Sequence, residues 1–176
     1  MLIAFALTNS AVAQKIVGYS FDKYPVTKIY KGPKAKVNLK SSETAKRYRT
    51  QIKRQYSNSE IEFAGTYSMI FWGAGTGGLT LGAMVDNSTG IVYDLPLTVE
   101  NSNRGCWSSD MNFDNNILYD KNSKLFITWT CQEEINEATK TNVVNKYYSV
   151  FLWNETKKKF TLLKNKSENK TEKITD

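Results

Sequence analysis

FAGTYSMIFWGAGTGGLTLGAMVDNSTGIVYDL, residues 63–95, sets apolar runs against turn chemistry at the short spacing of a β-meander. Phe63 to Trp72, Leu79 to Val85 and Ile91 to Leu95 are short and rich in β-branched or aromatic residues, the composition of strands. Asp86-Asn87-Ser88-Thr89-Gly90 supplies a turn between the last two. The same unit recurs downstream. Ile117-Leu118-Tyr119 and Leu125 to Thr130 flank Asp120-Lys121-Asn122-Ser123-Lys124, and Tyr147 to Trp153 and Phe160 to Leu163 flank Asn154 to Lys159. Strands joined by short turns must run antiparallel. The fold class expected is therefore mainly β (α+β): an antiparallel meander of hairpins.

Upstream the period changes from two to 3.6. Ala45, Tyr48, Ile52 and Tyr56 fall within one helical stripe of about 80°, with Lys46, Arg47, Arg49, Lys53 and Arg54 on the other side. This predicts one N-terminal amphipathic helix, with Ser41 as N-cap and Glu43 favouring its first turn. Its basic face is available to an acidic partner, though a solvated face is the plainer reading. Residues 14–40, with Pro25, Gly32 and Pro33 among lysines, read as an extended arm. The polar stretch 132–146 reads as a long loop. Residues 41–163 then form a single globular β-rich domain, followed by a disordered, lysine-rich tail over 164–176.

The chain has 176 residues, 40% of them hydrophobic and 12% aromatic, which suits one globular domain. No stretch approaches the roughly 20 apolar residues of a transmembrane helix, so no transmembrane segment is expected. Lys and Arg number 24 against 17 Asp and Glu, a net charge of +7. That excess suits solubility or attraction to an anionic partner. Histidine is absent altogether. Ser-His-Asp and Cys-His mechanisms, and zinc sites built on imidazole, are thereby excluded. Two cysteines alone cannot close a structural zinc site.

Leu2 to Thr8 is an apolar run, and Ala11 and Ala13 fit the small-residue rule for signal peptidase, with cleavage before Gln14. Residues 1–13 therefore read as a signal peptide. A positive n-region is missing, and the expectation is a truncated leader, with Met1 internal to a longer natural start. A periplasmic or secreted location follows, and in an oxidising compartment Cys106 and Cys131 form a disulfide worth about 3–4 kcal/mol. Two independent buried thiols are the cytosolic alternative.

Phe63-Ala64-Gly65-Thr66-Tyr67, Trp72-Gly73-Ala74-Gly75-Thr76, Ala83-Met84-Val85-Asp86, Thr89-Gly90-Ile91-Val92-Tyr93 and Leu95-Pro96, taken in order, resemble an uncharacterised family of secreted or periplasmic bacterial proteins with an FAGxY…WGxGT…D…TG pattern. The turn Asn122-Ser123-Lys124-Leu125 is similar too, and the resemblance spans roughly residues 41–130. It implies a location and a fold rather than a mechanism. Where that family carries W-G-C-G-T-x-C, this chain has Ala74 and Gly78, so that local bridge is absent.

Candidate sites follow from composition. The glycine-rich segment Gly73 to Gly78 lacks the Lys-Ser/Thr pair and helix of a phosphate loop and reads as a wide hairpin turn. If it binds a ligand, Tyr67, Trp72, Gly75 and Thr76 are at hand. Arg104 and Trp107, beside Cys106, have the composition of a binding hot spot, although Trp107 reads equally as core packing. Asp110 to Asp114 opens like a calcium loop, but Asn115 and Lys121 stand where glycine and a bidentate glutamate belong. No cofactor is expected. The functional expectation is an exported, non-enzymatic protein that binds a protein or cell-envelope component, in the manner of an immunity or inhibitor protein. The alternative is a carboxylate-dependent hydrolase of a cell-wall polymer, with Asp86, Asp94, Asp110, Asp114, Glu133 and Glu134 as the pool of acids. Nucleic acid is not expected as a partner, and the oligomeric state is left open.

Overall fold

Near-continuous apolar runs, buried on both faces, form Tyr67–Ala74 (β1) and Leu79–Asp86 (β2), which pair in one antiparallel hairpin with Tyr67 opposite Asp86 and Ala74 opposite Leu79. A computed structural model describes residues 15–75, 78–103, 105–106 and 116–173. Val92–Asp94 (β3) pairs with β2 to complete a three-stranded sheet. A second, four-stranded sheet runs in the order Ile117–Tyr119 (β4), Leu125–Asn136 (β5), Thr141–Asn154 (β6) and Lys159–Lys173 (β7), all neighbours antiparallel. The protein is mostly β, a meander of hairpins with a few short helices and one disulfide.

The strand expected from Phe63 starts only at Tyr67. Ala64 (φ 45°) and Gly65 (φ 72°) turn the chain sharply, and the Glu62 and Phe63 amides donate back to the Tyr67 carbonyl. The expected single helix is two: Glu43–Arg47 (α1) and Arg49–Asn58 (α2), interrupted at Tyr48. Ser42 rather than Ser41 caps the first, its hydroxyl accepting from Ala45 N at 3.0 Å. Ser41 is used otherwise. Its hydroxyl donates to the Asn38 carbonyl and accepts from Val92 N, which ties the helix entry to β3.

Two polar segments also differ from expectation. Residues 132–136 and 141–146, read as loop, extend β5 and β6 into one long hairpin. Residues 164–173, read as a disordered tail, continue β7 along β6. A ladder of backbone hydrogen bonds does not need apolar side chains on an edge strand, and lysines there suit an edge that must not pair further. The apolar leader-like stretch, residues 1–13, lies outside the described residues.

Four layers result. Ala45, Ile52 and Tyr56 from the helices pack on Ile70, Ala83 and Val85. The opposite face of that sheet joins the second sheet through Tyr67, Met69, Met84, Phe126 and Trp153. Leu125, Ile127 and Val150 face outward and are covered by Ile16, Tyr19, Phe21 and Tyr24 of the N-terminal arm. The arm also stitches the turns together, through Val26 N to Asn122 O, Tyr30 N to Gly65 O, and Asn38 N to Gly90 O. Cys106 and Cys131 are bonded, their Cα atoms 5.6 Å apart, in a small cluster with Trp129 and Val144. Among the described residues no helix is long and apolar enough to cross a membrane.

Candidate functional site

The two sheets differ in length, and that mismatch builds the main surface feature. At about 3.3 Å per residue, a 14-residue strand such as β6 outruns the 8-residue β1 by roughly 20 Å. One end of the inner face is buried under the first sheet. The other projects past it. A short helix, Val99–Ser102 (α3), stands beside this overhang, its start fixed by a capping box in which Thr98 Oγ1 accepts from Glu100 N and Asn101 Oδ1 accepts from Thr98 N. Ser102 donates to the Thr80 carbonyl and so anchors the helix to β2.

Between α3 and the overhang lies an open groove of about 790 Å³, within the range of ligand sites. Strand register decides what lines it. Thr130 stands opposite Tyr147, and Gln132 opposite Asn145. On the other side of β6, Ser149 faces Asn165 and Phe151 faces Leu162. Side chains alternate across a strand, so Thr130, Gln132, Tyr147, Ser149 and Phe151 share one face. Tyr147 is 38% exposed and Leu162 49%. The Tyr147 hydroxyl donates to Gln132 Oε1 at 3.3 Å, and the Ser149 hydroxyl to Asn165 Oδ1 at 3.1 Å. Only Glu100 and Lys166 bring charge to the lining.

No family model, curated protein or solved structure matches this chain.

The residues singled out by composition lie elsewhere. Tyr67 is wholly buried between the sheets, and Trp72 is 9% exposed, its ring 4.5 Å from that of Tyr48. Neither presents a stacking surface to solvent. Gly75 takes φ 78° at the tip of the β1–β2 hairpin, the wide turn expected there. Thr76, Arg104, Trp107 and the calcium-like stretch Asp110–Asp114 lie outside the described residues. Of the glycine-rich group, the described Tyr67 and Trp72 are thus packed in two different cores.

Tyr67 instead belongs to a polar clasp between the sheets. Its hydroxyl donates to the Glu155 carboxylate at 2.9 Å and accepts from Lys158 Nζ at 2.7 Å. Lys158 is also paired with Glu155, and lies 3.7 Å from the buried Asp86. Trp153 Nε1 donates to Glu155 at 2.6 Å. Burial, together with the Glu155 carboxylate, pushes the Tyr67 phenol far up. Burial opposes the charge on Glu155, but hydrogen bonds from Lys158, Trp153 and Tyr67 outweigh it and hold the carboxyl below its usual range. Two acids that share one ammonium in this way are a fastening. A glycosidase acid needs its pKa raised, not lowered.

Among the described residues no three metal-ligating side chains converge. Gln132, Asn165 and Lys166 went unnoticed because they sit in segments read as loop and tail, while Thr130, Tyr147, Ser149, Phe151 and Leu162 lie in expected strands whose shared face only the pairing register reveals. No alternation marks the β6 part of the floor, because Asn145-Lys146-Tyr147-Tyr148-Ser149 is polar or aromatic at every position.

Proposed function

We propose that this chain is an exported, non-enzymatic envelope protein that binds a protein or cell-envelope component in the groove beside α3. The observation that carries the reading is the groove itself: a concave face with half-exposed Tyr147 and Leu162 amid neutral hydroxyl and carboxamide groups. Exposed aromatic and aliphatic side chains on a rigid sheet are what a binding surface uses. The leader-like N-terminus, the disulfide and the resemblance at residues 63–96 support export, because disulfides persist in oxidising compartments. An immunity or inhibitor role is the form this takes when the captured component is a protein. The hydrolase alternative draws no support from Asp86 and Glu155, which share the single Lys158 ammonium in a clasp between the sheets.

Co-sedimentation of the oxidised protein with isolated cell envelope tests the reading. The protein should pellet, and Tyr147→Ala combined with Leu162→Ser should release most of it without changing the melting temperature. Equal retention of wild type and variant would remove the groove from the function. Turnover of a cell-wall polymer that is abolished by Glu155→Gln would replace binding by catalysis.

A further inference from the structure

We infer that the groove takes an uncharged glycan chain, laid across the exposed face of β5, β6 and β7. The inference rests on the groove being the binding surface and goes on to name the ligand's chemistry.

Three observations select a saccharide. Apart from Glu100 and Lys166 the lining is uncharged, and Gln132, Ser149 and Asn165 on its floor carry a hydroxyl or carboxamides that both donate and accept, whereas Asn101 and Thr130 are engaged with Thr98, Pro96 and Asn103. Sugar hydroxyls have the same double capacity, so a polyhydroxylated ligand satisfies such groups without bringing charge. Secondly, the polar groups are arranged as rungs. Gln132 with Tyr147, and Ser149 with Asn165, lie on successive same-face positions of β6, about 6.6 Å apart along the strand. Thirdly, Tyr147 holds its ring at the surface with its hydroxyl already engaged by Gln132, leaving a flat apolar face for the C–H face of a pyranose.

Other ligand classes fit less well. A peptide strand is recognised by main-chain hydrogen bonds at a sheet edge; β6, the floor of the groove, is paired on both sides and offers only side chains, and the free edge of β7 is lysine-rich, which disfavours further pairing. An anionic polymer needs cations. Lys166 is the one lysine of the lining, and it is paired with Glu168 at 3.0 Å, while Glu100 brings the opposite sign. A lipid tail needs a continuous apolar floor, which Thr130, Ser149 and Asn165 interrupt.

The test is a panel of neutral oligosaccharides (chito-, gluco- and manno-tetramers among them) arrayed and then titrated calorimetrically against the oxidised full chain. At least one should bind, insensitive to salt. Tyr147→Ala should weaken it at least ten-fold, and Asn165→Ala several-fold, with both variants melting like wild type. Absence of Tyr147-dependent binding across the panel overturns the glycan assignment. If envelope retention still depends on Tyr147, the proposed function stands with a different ligand. If retention is also indifferent to Tyr147, both fall. Binding to polyphosphate that vanishes with salt and ignores Tyr147 likewise overturns the glycan assignment.

Discussion

Lys158 adopts φ 48°, a region that L-residues with side chains enter at a cost. Its ammonium explains the choice, because the β6–β7 turn delivers it to Tyr67, Asp86 and Glu155 at once. Replacing it leaves Asp86, 3% exposed, without a cation. Breaking a fully buried pair costs roughly 3–5 kcal/mol. The Lys158 side chain is a third exposed, so Lys158→Met should cost less than that. Lys158→Gly, which relieves the backbone strain, should still be destabilising in urea titration, and a stabilised glycine variant would show that the clasp contributes little. Glu155 gives the clasp a pH dependence. Its carboxyl is held low in the folded chain, so the unfolded chain binds the proton more readily. The contribution is complete above about pH 4.5 and lost as pH falls through the lowered native value. Melting temperature should therefore fall less steeply on acidification in Glu155→Gln than in wild type, and parallel curves would refute the linkage. At Gly90 the constraint is steric: φ is 75°, and a Cβ would lie 2.1 Å from the Lys36 carbonyl oxygen of the arm. Gly90→Ala should destabilise by about 1–3 kcal/mol, and retention of wild-type stability would mean that the arm gives way there.

Hairpins whose turns carry Asp, Asn, Ser and Gly were the legible elements. Asp86 to Gly90 and Asp120 to Lys124 connect the strands that the sequence predicts. The β5–β6 hairpin was not legible, for a local reason. Its turn, Glu137-Ala138-Thr139-Lys140, contains no glycine or proline, and Lys140 itself takes the left-handed position at φ 50°. The flanking halves carry little apolar weight, so backbone pairing makes these strands where propensity did not announce them. The tail was missed likewise, since β7 borrows its order from β6. The disulfide acts at this scale. Cys106 and Cys131, 25 positions apart, fasten the stretch after α3 to β5, and closing such a loop stabilises by about 3.5 kcal/mol in the chain-entropy model. A Cβ on Gly105 would meet the Cys131 carbonyl oxygen at 1.6 Å, so the approach admits only glycine. Reduction should lower the urea midpoint and the melting temperature together. An unchanged midpoint with both thiols demonstrably free would mean that the bond contributes no net stability.

Sheet mismatch is a property of the whole molecule, and no window of sequence contains it. The groove exists because β6 outruns β1 and because α3, anchored on β2, stands beside the overhang; each strand read alone shows only its own alternation. The division into two sheets was likewise not legible, since the hairpin series predicts an antiparallel meander without saying where one sheet ends and the next begins. Tyrosines distributed through the layers report on that packing as a unit. Burial raises Tyr56, between helix and sheet, and Tyr119, between sheets, to about 12. It also raises Tyr67 and Tyr93 in the clasp region and Tyr148 on the outer face. For an acid, a raised native pKa means that the folded chain keeps a proton that the unfolded chain gives up near pH 10. Stability should thus decline as pH rises beyond about 10, with several tyrosines drawing in the same direction. Only part of the ten-tyrosine amplitude should appear in a tyrosinate absorbance titration of the native protein around pH 10. The remainder should emerge abruptly, together with loss of sheet ellipticity, as the layers separate in one transition. Ionisation of all ten near pH 10 with ellipticity intact would show that these rings are open to solvent, and the layered packing described for them would be wrong.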